Sequence, residues 1–204
     1  TEHGFAYFGV ANLGRIVKID LSTFSRVGIL DADAISPPVT LGSAVIDATN
    51  EYAYFSSGLE NPARIFKIRL SDFTSVGSLS LEAGEANTTS AVLANGYAYF
   101  STYYAFQGKI VKVQLSDFSR VGILSLYPGE AWANAAVIDP AGYAYFGTTA
   151  DGGGGAQSVT KIDLSSFSLA GKIDLVSVGL EGISSAAIDI TNGYAYFGTA
   201  DTGF

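Results

Sequence analysis

Tyr97-Ala98-Tyr99-Phe100, followed by Lys109-Ile110-Val111-Lys112-Val113-Gln114-Leu115-Ser116-Asp117-Phe118-Ser119-Arg120-Val121-Gly122-Ile123-Leu124, is the stretch that decides the fold, because the chain repeats it. The first element recurs as Phe5-Ala6-Tyr7-Phe8, Tyr52-Ala53-Tyr54-Phe55, Tyr143-Ala144-Tyr145-Phe146 and Tyr194-Ala195-Tyr196-Phe197. Measured from Ala6 through Ala53, Ala98 and Ala144 to Ala195, the spacings are 47, 45, 46 and 51. The second element recurs from Arg15, Arg64 and Ser158. A third, Ser43-Ala44-Val45-Ile46-Asp47 and its copies from Ser90, Ala135 and Ser185, precedes each later Tyr-Ala-Tyr-Phe.

Each element reads as a strand. In Tyr52–Phe55, alternation puts Ala53 and Phe55 on one face and the two tyrosines on the other. Val17, Ile19 and Leu21 alternate with Ile16, Lys18 and Asp20, the period-two pattern of a partly buried strand. Val27–Leu30 reads as a shorter fourth strand, and no apolar set recurs at helical spacing. Asn95-Gly96 and Asn192-Gly193 predict two-residue hairpin turns, since both residue types tolerate positive φ. Leu-Ser-x-Phe followed by Val-Gly, as in Leu70 to Gly77, predicts a hairpin between the second and third elements. Gly28, Gly77, Gly122 and Gly171, at fixed distance beyond it, predict positive φ or a close backbone approach.

Four short antiparallel strands every ~46 residues predict an all-β, propeller-like array of four-stranded antiparallel blades, about four and a half repeats in all. A β-solenoid would show periods nearer ~20–30 residues. The expected organisation is one repeat domain over 1–204, with units 1–42, 43–89, 90–134, 135–184 and a partial 185–204. The first unit then holds strands two to four of a blade, and the last holds strands one and two. Phe5–Phe8 and Tyr194–Phe197 are copies of one strand. This predicts a fragment of a larger ring, a ring completed by a second chain, or self-association through the terminal strands.

The order of these strands, with Ile-Asp before a glycine turn, Tyr-Ala-Tyr-Phe, Lys-Ile-Asp and Val-Gly, resembles the YVTN and NHL-type propeller repeats. The resemblance covers essentially the whole chain. It implies a β-propeller and, because the shared motifs are structural, assigns no catalytic residue.

Composition narrows the function. The chain is 48% hydrophobic and 15% charged, with 24 Gly, 12 Tyr and 13 Phe, so it has the means to build a packed β core. A formal net charge of −8 argues against a nucleic-acid partner. No apolar run is long enough for a spanning helix. With no cysteine, disulfides and thiolate chemistry are excluded. The chain also lacks methionine and starts at Thr1, which predicts removal of a leader or origin in a longer polypeptide, and an extracellular or cell-surface location.

His3, the sole histidine, reads as a turn residue, which leaves no candidate for a Ser-His-Asp arrangement. Asp47, Asp139 and Asp189 follow the first strand of their repeats and read as carboxylates bonding the turn's own amides. Asp20 and Asp163 are replaced by Arg69 and Gln114 in the other repeats, so no carboxylate role is common to all four. Asp31-Ala32-Asp33 and Asp151–Gln157 lack the alternating oxygens of a calcium loop, and Glu85, Glu130 and Glu181 read as solvated loop carboxylates. No catalytic residue, metal ligand or cofactor is therefore assigned.

The interval from Lys18, Lys67, Lys112 and Lys161 to Phe24, Phe73, Phe118 and Phe167 never changes, whereas the loops Val10–Gly14, Ser56–Ala63, Ser101–Gly108 and Gly147–Thr160 do. Constant scaffold with variable loops on one face is how binding surfaces are built. In the third repeat such loops gather Tyr103, Tyr104, Phe106, Tyr127 and Trp132, with Glu130 nearby, a set suited to stacking on a sugar or gripping a peptide. The expected function is a non-catalytic ligand-binding or scaffold module for carbohydrate or protein. The alternatives are a structural repeat that assembles with its own copies and a lactonase-type propeller hydrolase.

Overall fold

The computed structural model describes residues 4–10, 13–32, 39–104, 107–149, 157–175 and 182–199. Strands alone supply its regular structure: β1 (Phe5–Val10), β2 (Arg15–Asp20), β3 (Ser25–Asp31), β4 (Leu41–Asp47), β5 (Tyr52–Ser57), β6 (Arg64–Arg69), β7 (Thr74–Ser80), β8 (Ala91–Ala94), β9 (Tyr97–Tyr104), β10 (Gln107–Gln114), β11 (Ser119–Ser125), β12 (Trp132–Ile138), β13 (Tyr143–Thr149), β14 (Ser158–Asp163), β15 (Ser168–Asp174), β16 (Ile183–Asp189) and β17 (Tyr194–Thr199). They form five antiparallel meanders, taken here as blades 1 to 5: β1-β2-β3, β4-β5-β6-β7, β8-β9-β10-β11, β12-β13-β14-β15 and β16-β17. This is the expected β-propeller-like array, with three complete four-stranded blades between two partial ones. The fourth strand is longer than expected, seven residues in each of β3, β7, β11 and β15.

The chain divides into two compact units, Thr1–Thr88 and Thr89–Phe204. Each has its own core. In the first, Ile16 and Val39 pack with Ala53, Phe55, Phe66 and Ile68, so that blade 1 is covered by blade 2. In the second, Val92, Tyr99, Ile110 and Leu126 of blade 3 meet Ala144, Phe146, Ile162 and Leu164 of blade 4. A smaller cluster of Ala135, Val159 and Ile183 joins blades 4 and 5. The alternation read from Tyr52–Phe55 therefore serves two apolar faces: Ala53, Tyr54 and Phe55 are all buried.

Turn chemistry accounts for the register. Asn95 (φ 51°) and Gly96 (φ 79°) both take positive φ between paired Ala94 and Tyr97, as expected of a type I′ hairpin. Asn192-Gly193 differs. Asp189 pairs with Tyr194 across a four-residue loop, and of its residues only Gly193 (φ 75°) is left-handed. Asp189 competes for the loop: its carboxylate accepts the Thr191 and Asn192 amides at 3.1 Å and the Asn192 side-chain amide at 2.7 Å, which widens the turn. These three donors also hold the Asp189 carboxyl below its usual range, the Asn192 side chain contributing most.

The Leu-Ser-x-Phe turns solve one problem in two ways. In blades 1 and 4 the carboxylate comes first: Asp20 accepts the Ser22 amide (2.8 Å) and hydroxyl (2.6 Å), and Asp163 does the same with Ser165 (2.8 and 2.7 Å). In blades 2 and 3, where Arg69 and Gln114 stand instead, the carboxylate lies three residues on. Asp72 accepts the Thr74 hydroxyl (2.7 Å) and Arg69 (3.0 Å), and Asp117 accepts the Ser119 hydroxyl (2.8 Å). Every copy of the turn thus keeps one side-chain acceptor, which a position-by-position comparison of the repeats conceals.

The phenylalanine ending each turn is left-handed, at φ 47° for Phe24, 53° for Phe73, 53° for Phe118 and 50° for Phe167. A bulky residue takes this conformation only where its surroundings impose it. Beyond it a bulge leaves Val27, Val76, Val121 or Ala170 unpaired and sets Gly28, Gly77, Gly122 or Gly171 opposite the strand lysine. None of these four glycines has positive φ, which corrects that part of the expectation. The close approach is real at two of them. A Cβ on Gly28 would lie 2.9 Å from the Phe73 ring, and one on Gly122 would lie 3.1 Å from the Phe167 ring.

Burial of the tyrosine faces has a consequence at high pH. Desolvation, aided by the Asp47 charge and by Tyr52, pushes the Tyr54 phenol up to about 12, and desolvation with Tyr97 does the same to Tyr99. An unfolded phenol ionises near 10, so the folded chain holds these protons longer than the unfolded chain does. Their contribution to stability is intact below pH 10 and is lost as pH rises from about 10 to about 12. The urea midpoint is expected to fall across that interval, and Tyr54→Phe is expected to reduce the fall. An equal fall in Tyr54→Phe would assign it to other groups.

Candidate functional site

The variable loops gather at one strand end of blades 3 and 4. The β9–β10 turn and the β11–β12 connection leave blade 3 there, and β12 starts with Trp132. Tyr103, near the end of β9, stacks on Trp132 with ring centroids 4.0 Å apart and planes inclined by 30°. Both rings are partly buried. Tyr104 follows on the opposite face of β9, where it is exposed. Phe106 lies outside the described residues, as do His3 and Glu181.

Tyr127 and Glu130 belong to the connection into β12. Tyr127-Pro128-Gly129-Glu130 is a turn with Gly129 at φ 86°, closed by the Glu130 amide donating to the Tyr127 carbonyl at 3.1 Å. The Glu130 side chain folds back beneath it. One carboxylate oxygen accepts the Tyr127 amide at 2.9 Å. The other accepts the Thr160 hydroxyl at 2.6 Å and the Ser158 hydroxyl in a shorter bond. Glu82–Glu85 repeats the design in blade 2, with Gly84 at φ 81° and the Glu85 carboxylate accepting the Glu82 amide at 2.9 Å. Glu85 and Glu130 are both fully covered, which corrects their reading as solvated loop carboxylates. A buried carboxylate persists because several donors converge on it. Tyr127 remains at the surface, with the Lys172 ammonium 5.4 Å from its ring centre. Lys172 is held protonated above its usual range by its bond to Asp174, at 2.8 Å. The structure therefore brings Tyr103 and Trp132 together, with Tyr127 and Glu130 in the adjoining turn, and sets Tyr104 apart.

Sequence reading missed a second constellation. Each strand lysine lies among aromatic rings: Lys18 over Phe5 (4.0 Å), Tyr7 and Phe73 (both 5.7 Å), and Lys112 over Tyr97 (4.2 Å), Tyr99 (5.6 Å) and Phe167 (5.3 Å). In both cages the phenylalanine comes from the following blade. Tyr7 and Phe73 have centroids 5.8 Å apart, and Tyr99 and Phe167 are 5.7 Å apart. The signal in the sequence was the constant interval between lysine and phenylalanine.

Asp47, Asp139 and Asp189 serve their turns. Asp47 accepts the Asn50 side-chain amide at 2.7 Å, while Asp139 accepts the Tyr143 amide and the Tyr145 hydroxyl, both at 2.9 Å. Among the described residues, no three His, Cys, Asp or Glu side chains are grouped to hold a metal ion, and no helix is long and apolar enough to cross a membrane.

No protein-family model matches the chain, and no curated protein matches it. Solved structures do. The β-propeller domain of Cps50 (Swd1) from Myceliophteria thermophila is 14% identical, with a TM-score of 0.70 over 98% of this chain and 60% of that one. The WD40 repeats of RRP9 are 12% identical, with a TM-score of 0.65 over 91% and 52%. Kuenenia stuttgartiensis hydrazine synthase is 10% identical, with a TM-score of 0.68 over 85% and 45%. The chain thus spans about half the length of these structures. What it shares with them is the fold: the chain is a β-propeller-like repeat array.

Proposed function

We propose that the chain is a non-catalytic binding or scaffold module that holds a protein or carbohydrate ligand at the strand end carrying Tyr103 and Trp132. The Tyr103–Trp132 stack carries this reading, because it sits where the loops vary on blades whose strands and turns do not. Two rings stacked face to face at the end of a strand pair offer an apolar surface with polar rims, of the kind on which sugars and peptide side chains pack. The order of repeat motifs supports a kinship with YVTN and NHL-type propellers, and the proposed setting is extracellular or at the cell surface.

Trp132 is the sole tryptophan, so its emission reports occupancy of this surface directly. A panel of oligosaccharides titrated against the chain is expected to contain ligands that shift this emission. Tyr103→Ala is expected to weaken the strongest of them by about 5- to 10-fold, the worth of one aromatic contact. Emission unmoved by every glycan would shift the reading to a protein ligand. Equal binding by Tyr103→Ala, at an unchanged urea midpoint, would remove this surface from consideration.

A further inference from the structure

We propose that Gly108 is the positioning residue of the Tyr103–Trp132 surface. Its missing side chain lets the main chain at Ala131 close onto β10, and that approach sets Trp132 on Tyr103. In assigning the surface to a ligand, this rests on the function proposed above. Gly108 is buried and pairs with Tyr103 in the β9–β10 ladder. A Cβ built on it would fall against the Ala131 carbonyl oxygen, closer than real Cβ atoms come to any atom. The carbonyl carbon would lie at 3.2 Å and Leu126 Cδ1 at 2.9 Å. The next residue in the chain is Trp132. Two main-chain bonds hold the approach: the Gly108 amide donates to the Glu130 carbonyl and the Leu126 amide to the Gly108 carbonyl, both at 3.0 Å.

The other repeats separate this role from upkeep of the strand. Blade 2 has Ala63 at the position of Gly108, four residues before the strand lysine, and makes the same two bonds there. The Ala63 amide donates to the Glu85 carbonyl at 2.7 Å, and the Leu81 amide donates to the Ala63 carbonyl at 2.9 Å. The ladder and its connection therefore accept a Cβ. What blade 2 lacks is the aromatic pair. Gly58 stands where blade 3 has Tyr103, and Asn87 stands where it has Trp132, two residues past the turn glutamate. Blade 4 likewise combines Thr149 and Gly182 with a full side chain, Gln157. Blade 1 does carry a glycine, Gly14, but at φ 58°, a conformation that itself favours glycine. Gly108 is not left-handed, so its backbone is open to alanine and what excludes a side chain is the contact with Ala131 and Leu126.

The effect on the surface follows from which side gives way. β10 is paired on both edges, by β9 and β11, whereas Pro128 and Gly129 of the connection are exposed. A side chain at position 108 would therefore push the Ala131 peptide outward and carry Trp132 with it. The two rings have centroids 4.0 Å apart, and a gap of about 0.5–1 Å forfeits roughly a quarter to a half of a dispersion contact. A pair preset by the main chain, in turn, meets a ligand with little ordering cost.

Near-ultraviolet circular dichroism of Trp132, the sole tryptophan, tests the proposal without a ligand, so its outcome is separate from that of the binding titrations. Tyr103→Ala defines the spectrum of an unstacked Trp132. Gly108→Ala is expected to lose the same Trp132 signal, with far-ultraviolet circular dichroism unchanged. Gly108→Ala/Leu126→Val, which removes Cδ1 and leaves the carbonyl contact, is expected to lose it too, and it supplies the reading should the Leu126 clash alone unfold the single variant. Added to Tyr103→Ala, Gly108→Ala is expected to change the Trp132 signal little, since both act through one contact. A merely structural glycine would lower the urea midpoint and leave the Trp132 signal in place. That result, or an equal spectral change with and without Tyr103, would overturn the proposal.

Discussion

Glu130→Ala is expected to destabilise the second unit by about 3–5 kcal/mol, the range for deleting one partner of a buried charged network. The carboxylate is fully covered, and removing it strands the Tyr127 amide and the Ser158 and Thr160 hydroxyls. Ser158 also bonds Thr148 at 2.9 Å, so one hydroxyl keeps a partner and the loss stays below the sum of three charge-assisted bonds. The turn itself then depends on Gly129 and on the Glu130 carbonyl, which accepts the Gly108 amide at 3.0 Å. Glu130→Gln, which retains one acceptor oxygen, is expected to lose about half as much. Urea midpoints at constant m-value measure both. A loss under about 1 kcal/mol in the alanine variant would mean that water replaces the carboxylate.

Phe146→Ala is expected to cost about 3–5 kcal/mol, as for other buried phenylalanines cut to alanine. Phe146 is fully buried between blades, touching a core to which blade 3 contributes Val92, Tyr99, Ile110 and Leu126. In a repeat array stability is a sum of blade terms and nearest-neighbour interfaces. The cavity is therefore expected to loosen β9 and β10 as well as β13 and β14, with amide exchange accelerated in both blades. Phe146→Leu, which keeps most of the volume, is expected to cost under about 1.5 kcal/mol. Acceleration confined to blade 4 would show that the blades are energetically separate.

The blades were legible because their signals are local. Tyr-Ala-Tyr-Phe has strand composition and period two, and Asn95-Gly96 fixes a hairpin by its own conformational preferences. What escaped depends on partners distant in sequence. A left-handed phenylalanine contradicts its local preference, yet Phe24 holds it at 86% exposure, so the turn imposes the conformation. What the sequence hides is that Phe73 and Phe167 reach tyrosines of the preceding blade. Glu130 reads as a loop carboxylate until Ser158 and Thr160, on a strand of the next blade, are brought beneath it. Asn192-Gly193 was misread because Asp189 outbids the two-residue turn for its amides. Tyr103 and Trp132 were grouped correctly, since adjacent strand ends bring them together. Tyr104 was not, because alternation along β9 sends it to the other face.

A cage assembled from two successive blades has an evolutionary corollary. Its lysine, tyrosines and glycine sit in one period and its phenylalanine in the next, and the pairing is the same between blades 1 and 2 as between blades 3 and 4. Unequal recombination that exchanges one whole period at either of these pairings therefore delivers an equivalent phenylalanine to an equivalent cage. Gene duplication can change the number of blades without inventing a new interface. What it leaves unchanged is the six-residue step from Lys18 to Phe24, Lys67 to Phe73, Lys112 to Phe118 and Lys161 to Phe167, since an insertion before Phe73 or Phe167 would move that ring off its tyrosine in the preceding blade.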